Sequence, residues 1–457
     1  MPPSIRRERA LSDNQDYLAR SRAAVWHPCT QMKRHESLPI VPVASADGAY
    51  LVDFDGRRIL DAVSSWWVNL FGHKEPRIRA AIVRQLETLD HVMLAGFTHR
   101  PVVELSERLA ALTGLGHAFY ASDGASATEI ALKMSFHYWK NMGAPGKTRF
   151  VSLEGSYHGE SAGALAVTDV PLFSATYAPL IRQNFTAPTP DAREARTGES
   201  AADVARRAAV SLDNLLCKHH QEIAALIVEP LVQGAAGMVM YDAEYLRQAR
   251  ALCDRYRVHL IADEIAVGFG RTGTLFACEQ AGIRPDLLCL SKGITGGTLP
   301  LSCVLSTDDI YAAFYDDDVS RGFLHSHSYT GNAAACAAAL AVLDIFESDD
   351  VLARNRVREA EISAALAPLA AHPAVKSFRH TGQIWAFDVP GAPAGFAGLC
   401  FERMLAAGFL LRPIGQTVYL MPPYVVSAAE MAALAEALAA VLDTLPAGAP
   451  TTAVALP

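Results

Sequence analysis

The 457-residue chain holds only eight cysteines, scattered and without a C-x-x-C pair. That argues against a disulfide framework or a structural zinc site and for thiols kept reduced in a cytosol. It lacks any apolar run near the roughly 20 residues that a membrane helix needs. It has no excess of positive charge: 40 basic side chains face 48 acidic ones, for a net charge of −8. Nucleic acid and anionic membrane surfaces are therefore disfavoured as partners. The N-terminal stretch "MPPSIRRERALSDNQDY" is charged and has no apolar h-region, so it does not read as a secretory signal. A cytoplasmic protein is the expectation. No internal repeat is visible.

What is present is ample core material. Half of the residues are hydrophobic, and the length suits two or three domains. The middle of the chain alternates short apolar runs with helical patterns: "HAFYASDG" (117–124), "RFVSLEG" (149–155), "AALIVEP" (224–230), "VHLIADE" (258–264) and "LLCLSK" (287–292). These runs are continuous rather than alternating, as in strands covered by helices on both faces. "AEYLRQARALCDRY" between two of them fits a crossover helix. The pattern predicts an α/β domain with a mostly parallel sheet. After about residue 340, alanine-rich helices and the short strands "QIWAFDV" and "TVYLMPP" predict a smaller α+β domain. The segment 186–209 reads as a polar surface loop running into a helix, and "PAGAPTTAVALP" as a frayed tail.

In open α/β sheets, ligands sit beyond the carboxyl ends of the strands. Four predicted strand ends carry Asp123, Glu229, Asp263 and Lys292. One strand-end Asp is more often a helix cap, but four polar strand ends, one of them lysine, point to a site. A lysine desolvated at that edge loses proton affinity, and its neutral amine can form a Schiff base with an aldehyde. A carboxylate such as Asp263 suits the pyridine nitrogen of pyridoxal phosphate. Glu264, its neighbour, should face the other way. Gly124 and Ala125 open a helix and can offer backbone N–H groups to a phosphate; "HSHSYTGN" (325–332) offers hydroxyls, chiefly Ser328.

"LIADEIAVGFGRTG" followed, 29 residues after Asp263, by Lys292 in "LSKGITGG" resembles the class III pyridoxal-phosphate aminotransferases of fold type I. The resemblance spans about residues 25–430. "VWHPCTQM", "AVSSWWVNLFGH", "GSYHGE", "EPLVQGAAGM", "RTGTLFACE" and "LRPIGQTVYLMPPY" are similar, within that family, to the biotin-pathway branch. That branch makes 7,8-diaminononanoate from 8-amino-7-oxononanoate, with S-adenosylmethionine as amino donor.

The resemblance implies a homodimer with sites at the subunit interface. It implies that residues 1–72 join a small domain completed by 336–457, around a large cofactor domain at 73–335. Lys292 would take the cofactor's aldehyde and shuttle a proton, Asp263 would hold the pyridinium, and Tyr157 would stack on the ring and touch substrate. Gly124 and Ala125 would bind the phosphate from one subunit, His327 and Ser328 from the other. Trp66 and Trp67 would wall the substrate pocket, Arg412 would pair with the substrate carboxylate, and Arg271 would help to select that substrate.

The chain departs from the family pattern at three places. Cys29 stands where the family has a substrate-contacting tyrosine. Ser326 and His327 replace glycine and proline. Ala333 replaces a proline after Gly331-Asn332. Cys29 and Ser326 would both lie at the substrate end. They leave open a second branch that uses lysine, or another amine, as donor. A noncatalytic relative would show damage at Lys292 or Asp263, and neither is changed.

Overall fold

The computed structural model describes residues 12–445. Residues 1–11 of the charged N-terminal stretch and the whole of "PAGAPTTAVALP" lie outside them. The centre is a seven-stranded sheet, in spatial order His117–Ala121, Ser302–Ser306, Leu287–Leu290, His259–Asp263, Ile223–Val228, Arg149–Leu153 and Phe185–Ala187. Ser302–Ser306 pairs antiparallel with both of its neighbours; the other pairings are parallel. Six strands therefore point one way, and the ends of five of them, at Ala121, Leu153, Val228, Asp263 and Leu290, share one edge.

The strand Leu287–Leu290 illustrates why the predicted runs are continuous. Leu288 and Leu290 pack on one face with Leu105, Leu109 and Val342. Leu287 and Cys289 pack on the other with Ile130, Ile227 and Ile261. Side chains alternate across a strand, so a sheet with helices on both faces demands apolar residues at every position. The helix Gly124–Asn141 covers the second face through Ile130, Ala131 and Met134. Glu244–Tyr256 is the expected crossover helix, burying Leu246, Ala249 and Cys253.

The sequence reading missed the strand Ser302–Ser306. Its loop reading of 186–209 also needs correction. Thr186 and Ala187 pair in the edge strand, Asp191 is buried, and Arg193 binds both Asp191 and Asp388 at 2.7 and 3.0 Å. From Ala201 the segment is helical, started by a reciprocal cap between Ser200 and Asp203.

Both ends of the described chain meet outside the central sheet. Val43–Asp47, Tyr50–Asp53 and Arg58–Asp61 form antiparallel pairs, and Phe409–Leu410 adds a fourth, parallel strand beside Arg58–Asp61. A three-stranded antiparallel sheet holds Lys376–Thr381, Ile384–Asp388 and Thr417–Leu420. Among the described residues no helix is long and apolar enough to cross a membrane, and no cluster of metal-ligating side chains is found.

Candidate active site

Lys292 follows the strand Leu287–Leu290 by two residues. Its backbone is left-handed, with φ +46°, because the chain must turn sharply off the sheet edge. Ser291 secures that turn by donating its hydroxyl to Leu301 O at 2.9 Å. Gly297 allows the next contact. Its φ is +82°, and a Cβ there would lie 2.9 Å from Val68 O and Asn69 N. The lysine turn thus sits backbone to backbone against residues 68–69, which follow Trp66 and Trp67.

An inner cavity of about 300 Å³ is bounded by Asp123, Gly124, Ala125, Tyr157, His158, Glu229, Asp263 and Lys292. The four polar strand ends of the sequence reading are all on its wall. Asp263 Oδ2 is 2.7 Å from His158 Nδ1, and Oδ1 accepts from the Ile265 N–H at 3.1 Å. Glu229 accepts from the Tyr157 and Gly234 N–H groups, both at 3.0 Å; burial pushes its carboxyl up to about 7. Burial likewise lowers Lys292 to about 8, although Asp263 and Glu229 pull the other way. Asp123 caps the helix by accepting from Ser126 N–H at 2.9 Å, which leaves the N–H groups of Gly124 and Ala125 without intrahelical acceptors. The loop Tyr157–Gly159 comes so close to this helix start that a Cβ on Gly159 would meet the Ala125 Cβ at 2.6 Å. Glu264 faces away, as alternation predicts, and accepts from the Ala277 and Cys278 N–H groups at 2.6 and 2.8 Å.

This donor set fits pyridoxal phosphate. An amine of lowered basicity suits its aldehyde, a buried carboxylate suits its ring nitrogen, and free N–H groups at a helix start suit its phosphate.

An outer cavity of about 520 Å³ opens from the same lysine and is lined by Cys29, Ser65, Trp66, Trp67, Tyr157, Glu160, Phe173, Arg412 and Tyr419, among others. Lys292 Nζ is 4.3 Å from the centre of the Trp67 ring, and Arg412 Cζ is 5.4 Å from that of Trp66. Trp67 is buried while Trp66 is 46% exposed. Tyr157 donates its hydroxyl to Glu160 at 2.9 Å, and its ring lies 5.3 Å from that of Phe173. Burial, with Glu160 nearby, raises the Cys29 thiol.

Two groups of predicted residues are not brought into these cavities. Arg271 is 1% exposed and donates to Pro422 O and Asn69 O, both at 2.8 Å. It lines neither cavity and ties two backbone segments together. Burial lowers its guanidinium. Ser326, His327 and Ser328 also lie outside both linings. The Ser328 carbonyl is bound by His91 Nε2 at 2.5 Å, and the His327 N–H donates to Thr330 Oγ1 at 3.3 Å. Sequence reasoning passed over Glu160, Phe173 and Tyr419, and gave His158 no role. The motif "GSYHGE" after the strand Arg149–Leu153 was the available signal for His158 and Glu160.

Comparison with known proteins agrees with this geometry. The family model Aminotransferase class-III matches residues 31–442. A Helicobacter pylori protein named adenosylmethionine-8-amino-7-oxononanoate aminotransferase is 46% identical over 92% of this chain and 96% of its own. A solved structure of the enzyme of the same name from Methanocaldococcus jannaschii has a TM-score of 0.88 at 33% identity, covering 95% of this chain and all of that one. A pyridoxal-phosphate-bound amine transaminase from an uncultivated Pseudomonas species has a TM-score of 0.87 at 33% identity, covering 92% and 98%. With its strand-end lysine and carboxylate on one cavity wall, the chain belongs to the class III aminotransferases.

Proposed function

We propose that this chain is the pyridoxal-phosphate-dependent aminotransferase of biotin biosynthesis that converts 8-amino-7-oxononanoate to 7,8-diaminononanoate, with S-adenosylmethionine as amino donor. The observation that carries this reading is the outer cavity. It has an amine at its floor, two indoles on its wall and one arginine at its far side. A long aliphatic chain ending in a carboxylate matches that sequence of surfaces. An indole face also suits the sulfonium of the donor.

Held in the inner cavity, pyridoxal phosphate would supply an electron sink for the carbon that carries the amine. The chain's own residues do the rest. Lys292 would hold the cofactor and move the proton, and its lowered basicity keeps an uncharged fraction available near neutral pH. Asp263 would hold positive charge on the ring nitrogen, and His158 fixes the orientation of that carboxylate. Tyr157 bounds both cavities and would lie against the ring and the substrate. Gly124 and Ala125 would bind the phosphate. Arg412 offers a planar fork to the substrate carboxylate. Trp66 and Trp67 exclude water from the aliphatic chain.

His327 and Ser328 would reach the phosphate of the partner's site in a homodimer; their position outside both linings of their own chain supports that assignment. The division into a small domain of 1–72 with 336–457, around a large domain of 73–335, belongs to the same proposal and is supported by the pairing of Arg58–Asp61 with Phe409–Leu410. A cytoplasmic location completes it.

The test is a single half-reaction. Cofactor-loaded protein is mixed with S-adenosylmethionine alone and, separately, with lysine alone, and the visible spectrum is followed. Loss of the visible band with S-adenosylmethionine supports the proposal. Loss with lysine only assigns the chain to the lysine-using branch, the reading favoured by Cys29 on the cavity wall. A response to neither removes both donors.

A further inference from the structure

The two tryptophans stand on an unusual backbone. Ser64, Ser65, Trp66 and Trp67 have φ of +51°, +47°, +71° and +73° in succession. The turn closes on itself with Trp67 N–H donating to Val63 O at 2.9 Å and Val68 N–H to Ser64 O at 3.0 Å. This is one turn of left-handed helix made without glycine. For L-residues each such position is unfavourable by roughly 1–2 kcal/mol, so the turn persists only where its surroundings over-determine it.

Those surroundings centre on Asp61, the last residue of the strand Arg58–Asp61 and fully buried. Its Oδ2 accepts from the Ser65 hydroxyl at 2.7 Å, and its Oδ1 accepts from the Val63 N–H at 3.2 Å. His73 Nε2 lies 3.8 Å from Oδ2. Ser64 ties the other side by donating to Met421 O at 2.7 Å. A buried carboxylate thus grips the turn at its start and at its second residue. Returning these four residues to negative φ would change where both indoles point, and with it the width of the outer cavity.

We propose that Asp61 and Ser65 are positioning residues for substrate specificity: they hold the left-handed turn Ser64–Trp67 that sets both indoles on the outer cavity. The inference rests on the reading of that cavity as the substrate's place. Neither residue takes part in proton transfer. Their effect is on which chain length and shape the wall accepts.

Glycine adopts the left-handed region without steric cost, which provides a discriminating pair of variants. Asp61→Ala leaves buried donors unpaired and threatens folding itself, which makes it a poor probe. Ser65→Ala removes the hydroxyl and keeps the cost of the turn. Ser65→Gly removes the hydroxyl together with the left-handed cost at that one position. For Ser65→Ala, KM for 8-amino-7-oxononanoate should rise about tenfold with kcat within about twofold, the size expected for one hydrogen bond to a charged group. The near-ultraviolet circular dichroism of the tryptophans should change as well. Ser65→Gly should restore both toward wild type.

Equal effects of the two variants, or no effect of Ser65→Ala on KM and on the tryptophan signal, would overturn the proposal. Should the wild-type protein not process 8-amino-7-oxononanoate at all, the proposed function fails. The tryptophan signal of the two variants then still decides the role of Asp61 and Ser65.

Discussion

At the scale of single residues, the chemistry depends on a lysine kept at low basicity. Lys292→Ala should abolish turnover and the visible band of the lysine-bound cofactor; retention of both would sink the assignment. The pH dependence follows from burial. Lys292 lies at about 8 in the folded chain against about 10.4 for a free lysine. Between those values the unfolded chain binds the extra proton, so the burial cost is fully felt below pH 8 and fades as pH rises toward 10.4. Denaturant unfolding of the cofactor-free protein should show wild type gaining on Lys292→Ala across that window. A difference that stays flat with pH would contradict the lowered basicity. Arg412→Ala should slow the oxononanoate half-reaction roughly tenfold to a hundredfold, the worth of a lost charge-assisted bond, and the donor half-reaction less. Equal loss in both halves, measured by rapid mixing, would count against its carboxylate role.

At the scale of elements, the site exists because turns leave the sheet edge in unusual conformations. Lys292, Gly297 and Ser64–Trp67 all have positive φ. Gly297→Ala forces a methyl group to within 2.9 Å of backbone atoms of Val68 and Asn69. It should destabilise the protein by about 1–3 kcal/mol, as overpacking does, and lower cofactor occupancy by pushing the two turns apart. Thermal unfolding and the visible spectrum together check this; an unchanged Tm would show that the contact can relax. Elements built from continuous apolar runs were legible in the sequence, because helices on both faces of the sheet impose one rule on every residue of a strand. Ser302–Ser306 was not, since its apolar run is only Cys303, Val304 and Leu305, and a serine at each end reads as loop. Asp191 and Arg193 misled for a related reason: polar composition says surface until a partner such as Asp388 is known.

At the scale of the whole molecule, the proposed homodimer makes a prediction about shared sites. Lys292→Ala is inactive, and a Ser328→Asp variant should fail to hold the phosphate. If each site draws on both subunits, mixing the two proteins under exchange gives hybrid dimers with one intact site. Random exchange of equal amounts makes half the dimers hybrid, so about a quarter of the wild-type activity should return. With sites contained in one chain, every chain carries a defect and the mixture stays inactive.

The sequence by itself determined the chemistry of the inner cavity. Lys292, Asp263, Glu229 and Asp123 could be placed at strand ends because a parallel sheet brings its strand ends to one edge, whatever loops intervene. It could not decide the outer cavity. Arg271 stands in a motif, and only the folded chain shows its guanidinium held by Asn69 O and Pro422 O. The handedness of Ser64–Trp67 was equally hidden. Local preference favours negative φ at each of those four residues, and the opposite outcome is imposed by Asp61, 4 residues from Ser65, and Met421, 357 residues from Ser64. Strand-end chemistry is set by local pattern, whereas the shape of a pocket between distant segments is set by contacts that local pattern does not encode.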